Sequence, residues 1–221
     1  MNDSACTENR LLEAFRRERN GLTADTMHYD GERYGVNYGV SLPTVRSIVR
    51  REAPDHARAC RLLLRREREM QLAAFHLADP GRLADPSEAG RWQAAIRNTE
   101  LAEEAAFALL GRIPSLPALL PSWLTADPLA AYAVMLAAVR YPSPEADWLA
   151  PMHETLQRLA ADTAQPAWAA RRLAEALVAF AARLADTGPT AHAAVAEWMQ
   201  RLGPTPAERY VAEELAWRLD G

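Results

Sequence analysis

The chain reads as an all-α protein, and three observations predict it. Alanine, leucine, arginine and glutamate dominate, and all four are strong helix formers. Valine, isoleucine and threonine are sparse and period-two alternation is nearly absent, so a sheet has little to be built from. Breaks centred on proline recur at short intervals: Leu77-Ala78-Asp79-Pro80 returns as Leu83-Ala84-Asp85-Pro86, with Thr125-Ala126-Asp127-Pro128 as a looser echo. In each, the aspartate can cap and the proline can take the first helical position.

The elements follow in order. Helices are expected over 7–19 and 23–29, then a glycine- and tyrosine-rich stretch without helical character from 30 to 41. Ser41-Leu42-Pro43 starts a helix over 42–52, and Ala53-Pro54-Asp55 separates it from one over 55–66. Segments 68–79 and 87–97 are divided by the repeated Asp-Pro signals. In the next, 99–112, Leu101, Ala105, Ala108 and Leu109 share one face. Helices over 115–124, 128–140 and 144–162 precede Gln165-Pro166. The segment 166–185 carries Trp168, Leu173, Leu177, Phe180 and Leu184 on one stripe. Thr187-Gly188-Pro189 and Gly203-Pro204-Thr205-Pro206 open the last two, 189–201 and 206–219. Paired helices at roughly 35–45-residue spacing fit a HEAT-like α-solenoid of antiparallel helix pairs, read as one domain over 1–221. A compact helical bundle is the competing architecture.

Composition narrows the function. A hydrophobic content of 49% over 221 residues supports a packed core rather than wholesale disorder. Net charge is -4, all 25 basic residues are arginine, and roughly one residue in five is alanine, a bias that a GC-rich genome also produces. A nucleic-acid surface must therefore come from local clustering of arginine. No stretch approaches the ~18 apolar residues of a membrane span. The first 19 residues are charged and lack an apolar signal core. Cys6 and Cys60 make neither a disulfide framework nor a zinc site, and the five histidines show no paired ligand spacing. The expectation is a cytoplasmic monomer without metal or organic cofactor. Serine-triad and phosphate-loop motifs are absent.

The most distinctive stretch runs from Met27 to Arg51. It carries Tyr34-Gly35-Val36, Tyr38-Gly39-Val40 and a proline-started helix bearing Arg46. Arg68-Glu69-Met70 then opens a helix ending at Leu77-Ala78-Asp79-Pro80, followed by Gly90-Arg91-Trp92 and by Asn98-Thr99-Glu100-Leu101-Ala102-Glu103. Over roughly residues 20–185 this order resembles the AlkD-like DNA alkylation-repair family, whose HEAT-like repeats wrap duplex DNA. The resemblance implies binding of alkylated duplex DNA and hydrolysis of the N-glycosidic bond of cationic alkylpurines. A non-catalytic scaffold holding nucleic acid or a protein partner is the alternative. In the family a carboxylate stabilises an oxocarbenium-like sugar and positions water, and tryptophan faces suit the cationic sugar and base.

Carried over residue by residue, Glu103 is the nearest match to the family carboxylate, with Glu100 one turn earlier and Trp92 as an aromatic candidate. Both glutamates lie near a helix N-terminus, where a carboxylate is favoured, although Asn98 or Thr99 followed by glutamates is also how ordinary helices begin. Three positions depart from the family pattern. Thr99 stands where an aromatic is expected, and the family's later arginine and second tryptophan fall near Ala131 and Ala176.

Arg46, Arg50 and Arg51 head an arginine cluster that continues through Arg58, Arg61, Arg65, Arg66 and Arg68. These read as phosphate contacts giving salt-dependent binding, or as a solvated face laced with ion pairs. Arg97, Arg171 and Arg172 are further basic candidates. Tyr29, Tyr34 and Tyr38, in or beside the glycine-rich stretch, are candidates for exposed contacts, and Tyr38 joins the DNA-binding set. The spaced tryptophans Trp92, Trp123 and Trp168 read as inter-helix packing residues or as an aromatic lining.

Overall fold

The computed structural model describes residues 3–29 and 34–219. Residues 30–33 of the glycine-rich stretch lie outside the described residues, as do the side chains of His28 and Tyr29. The described chain is all helical, its one extended pairing a single bridge between Val36 and Glu67. The first seven helices are α1 (Asp3–Arg17), α2 (Gly21–Tyr29), α3 (Leu42–Val49), α4 (His56–Leu63), α5 (Arg68–Leu77), α6 (Pro86–Ala95) and α7 (Thr99–Ala108). The remainder are α8 (Leu116–Ala126), α9 (Pro128–Arg140), α10 (Leu149–Ala161), α11 (Ala169–Ala185), α12 (Pro189–Met199) and α13 (Pro206–Leu219). No helix among the described residues is long and apolar enough to cross a membrane.

The punctuation works as its chemistry dictates. Ser41, Asp55, Asp85, Asn98 and Asp127 each cap a helix with a side-chain oxygen that accepts a backbone N–H in the first turn. Proline follows at the first or second position of α3, α6 and α9, where no intrahelical N–H is lost. Several helices are shorter than the spacing predicts. The backbone of Leu109 leaves the helical region (φ -126, ψ -64), so the expected helix 99–112 ends at Ala108 and resumes as one 3₁₀ turn over Leu110–Arg112. The expected helix 144–162 likewise begins with a separate 3₁₀ turn, Ala146–Trp148. A further 3₁₀ segment, Pro80–Ala84, fills the gap between the two Asp-Pro signals.

The helices gather into two compact units, Met1–Leu109 and Leu110–Gly221. In the first, α5 is central and packs on α3, α4 and α7. Nine of its ten residues are buried, including Met70, Leu72 and Phe75. Leu11 and Phe15 of α1, Val45 of α3, Leu62 of α4 and Trp92 of α6 complete this core. Burial of about 150–250 Å² per large aromatic makes Phe15, Phe75 and Trp92 major contributors. In the second unit α11 is central and packs on α9, α10, α12 and α13. Its stripe is the expected one, with Leu173, Leu177, Phe180 and Leu184 buried. Trp168 sits just ahead of α11, half-buried against Tyr132 with ring centroids 6.2 Å apart. In each unit every second helix stacks, α3 on α5 on α7 and α9 on α11 on α13.

Candidate functional site

The stretch from Tyr34 to Ser41 is extended but firmly bolted to α5. Val36 donates to the Arg66 carbonyl at 2.9 Å and accepts from the Arg68 N–H at 2.8 Å. The buried Glu69 carboxylate accepts from the N–H groups of Tyr38 and Val40 at 3.3 and 3.2 Å. Gly39 makes the crossing with α2 possible: its φ is +68, and a Cβ there would lie 2.0 Å from the Asn20 carbonyl oxygen. Arg68, 2% exposed, donates to the Val40 carbonyl and to both Glu69 and Glu100. Tyr34 donates to Glu100 at 2.5 Å, and burial, then the nearby Glu100 charge, push its phenol far above the ordinary range. Glu100 is thus tied into a buried network that fixes this stretch to α5 and α7.

One turn further along α7, Glu104 performs a parallel task. Its carboxylate is 1% exposed and accepts from Arg46 Nε at 3.0 Å, Arg46 Nη2 at 2.6 Å and His76 Nε2 at 2.5 Å. Burial opposes the ionised form, but the hydrogen bonds from His76 and Arg46 outweigh it and hold the group below the usual carboxylate range. Arg46 is thereby held over Phe107, its guanidinium carbon 3.8 Å from the ring centroid, a cation–π geometry. Arg46, Arg50, His76 and Phe107 line a cleft of about 320 Å³, with Val49, Glu52 and Pro54 completing the wall.

Glu103 stands on a different side of α7. Glu100 and Glu104 turn toward α5 and α3, whereas Glu103 is half-exposed and falls four residues before the exposed Phe107. The two therefore share the accessible stripe of a helix whose other residues from Leu101 to Leu109 are buried. The structure brings Phe107, Arg46 and Arg50 together around the cleft, and Glu103 precedes Phe107 by one helical turn. Sequence spacing missed Phe107 and Glu104, although the i, i+4 relation of Glu103 to Phe107 is a signal it carries.

The other expected site residues are placed as follows. Trp92 is fully buried, packs against Phe75 and His56, and donates its indole N–H to Glu88 at 3.0 Å. It therefore presents no surface to a ligand, and its packing reading is the one the geometry fits. Arg50, Arg51 and Arg97 are exposed. Tyr38 accepts from Arg16 Nε through its hydroxyl at 3.2 Å. In the second unit Arg171 and Arg172 are exposed and pair with Glu175 at 2.9 and 3.7 Å. The arginine cluster divides: Arg58 and Arg68 are buried, and Arg61 and Arg65 pair with Glu8. Ala131 and Ala176 are both buried.

One group of side chains has metal-ligand composition. His56, Cys60 and Glu88 place their ligand atoms within 4.8 Å of one another between α4 and α6. Here they form a hydrogen-bond hub, with His56, the Cys60 thiol and Trp92 all directed at one Glu88 oxygen. Burial and then the Glu88 carboxylate push the Cys60 thiol up, away from the thiolate a metal would need.

A family model described as a DNA alkylation repair enzyme matches residues 11–212, which spans both units. No curated protein and no solved structure is a significant match. The all-helical chain, with its tyrosine–glycine stretch bolted to α5 and its acidic α7, belongs to the AlkD-like DNA alkylation repair family, and that membership supports a DNA alkylation repair role with DNA as partner.

Proposed function

We propose that this chain binds alkylated duplex DNA and hydrolyses the N-glycosidic bond of cationic alkylpurines, with Glu103 as the carboxylate. The observation that carries the reading is the α7 stripe. It sets a half-exposed carboxylate one turn before Phe107, whose ring carries the Arg46 guanidinium and lines a cleft, in a chain of this family. As the glycosidic bond lengthens, positive charge develops on the sugar, and a carboxylate nearby stabilises it. Water adds to the anomeric carbon, the purine leaves with the bonding electrons as a neutral base, and Glu103 accepts the water proton. No metal or organic cofactor enters this chemistry.

DNA is held by phosphate contacts from Arg46, Arg50, Arg51, Arg97 and Tyr38 in the first unit and from Arg171 and Arg172 in the second. The stacking of alternate helices within each unit supports a HEAT-like solenoid as the scaffold. The chain is proposed to act as a cytoplasmic monomer.

A second reading, binding without base release, is favoured by Thr99 and by the buried Ala131 and Ala176, where the family's aromatic and arginine positions fall. Release of 7-methylguanine from methylated duplex DNA separates the two. The glycosylase reading expects release by the native chain and at least a hundredfold loss in Glu103→Ala with duplex binding kept within about twofold. No release by the native chain, with intact DNA binding, establishes the second reading.

A further inference from the structure

Phe107 is a third exposed, lines the cleft, and carries a guanidinium on one face. We propose that Phe107 and Arg46 together form the contact for an unstacked nucleotide, the ring meeting its base and deoxyribose and the guanidinium its phosphate. This rests on the DNA-repair reading above and adds a contact residue to it.

The argument begins with what holds Arg46. A long arginine on a surface loses considerable side-chain freedom when it binds, and that loss opposes affinity. Here the loss is already taken in the folded state. The buried Glu104 engages Nε and Nη2 as a fork, and His76 fixes the same carboxylate through Oε1. The guanidinium edge away from Glu104, Nη1 and the second Nη2 proton, is left to meet an acceptor. A phosphate matches that edge in geometry.

Charge bookkeeping shapes the role further. Glu104 cancels the charge of Arg46, and Glu52 on the cleft wall pairs with Arg58 at 2.6 Å. Net positive charge in the cleft therefore comes from Arg50. Arg46 contributes direction rather than bulk attraction, so the cleft discriminates the shape of a nucleotide more than it gathers duplex. Phe107 adds the apolar half. The ring, which also meets His76 at 6.4 Å between centroids, keeps a third of its surface exposed on the same helical stripe as Glu103, one turn away. A nucleotide resting there has its sugar within reach of that carboxylate's side of α7.

The test compares binding of the full chain to a fully paired duplex and to the same duplex with one bulged nucleotide, by fluorescence anisotropy across a salt titration. Phe107→Leu is expected to weaken binding to the bulged duplex on the order of tenfold, the size that removing a base–aromatic contact gives. Paired-duplex affinity should change less than twofold, and the slope of log K against log salt should not move, because no phosphate contact is lost. Phe107→Tyr should retain the native preference. Equal binding of both duplexes by the native chain, native-like binding of the bulged duplex by Phe107→Leu, or equal loss on both duplexes overturns the proposal. Should Phe107→Leu not fold, Phe107→Trp decides it: added fluorescence quenched by the bulged but not the paired duplex supports the contact, and no difference removes it. Failure of the native chain to bind either duplex defeats the DNA-repair reading itself, a result distinct from these.

Discussion

Trp92 shows how far a single residue can be read before packing is known. Sequence admits two readings, an inter-helix packing residue or a ligand-facing ring; with no exposed surface the side chain anchors α6 against Phe75, as the first reading has it. Trp92→Ala is expected to cost about 3–5 kcal/mol, the range for emptying a large aromatic site. Trp92→Phe should keep most of that while leaving Glu88 one donor short. Urea unfolding followed by circular dichroism checks both. Glu104 is the counterpart that sequence did not reveal. Its partners Arg46 and His76 lie 58 and 28 residues away, so no local spacing could have announced them. Glu104→Ala leaves two polar groups facing a buried void and should cost about 3 kcal/mol or more. Glu104→Gln should recover part of it.

Helices were the most legible level. Aspartate before proline, and serine or asparagine before an apolar run, have one common physical outcome, and they marked the starts of α3, α4, α6, α7 and α9 to within a residue or two. What spacing could not show is that α7 stops at Ala108, where the backbone of Leu109 leaves the helical region. The direction of each stripe was equally hidden: Glu100, Glu103 and Glu104 look alike in sequence but face different neighbours. The glycine–tyrosine stretch was legible as non-helical, while its attachment to Glu69 and Arg68 was not. Gly39 is the point on which that attachment turns. Gly39→Ala combines a left-handed backbone with a Cβ 2.0 Å from the Asn20 oxygen, so it should lower stability by more than about 1 kcal/mol. A lower urea midpoint would register it, and an unchanged one would contradict the placement of α2 against Tyr38–Gly39.

For the whole molecule, acid sensitivity is set in part far from the cleft. In the second unit Glu208 is buried beneath His153, Gln157, Thr205 and the Gly203 N–H. Burial alone would raise its pKa, but these hydrogen bonds pull it from the ordinary 4.5 to about 2. A folded value below the unfolded one means the stabilisation is complete above pH 4.5 and is lost as pH falls toward about 2. Native chain should therefore show a falling urea midpoint across that window, and Glu208→Gln a flatter one. Net charge of -4 also sets an expectation for DNA: association should weaken steeply with salt through local arginines, with a log–log slope of about -0.9 per phosphate neutralised. Replacing Arg50 or Arg51 by alanine should reduce that slope by about one each. The Arg68 network carries a different kind of consequence, for the paths open to the sequence over time. Arg68 is shared by Glu69, Glu100 and the Val40 carbonyl, so no one of the three side chains can drift alone without stranding a charge in the interior. Substitutions at Arg68, Glu69 and Glu100 should be strongly non-additive. Descendants of this chain can then be expected to keep the set intact or exchange it together for an apolar one.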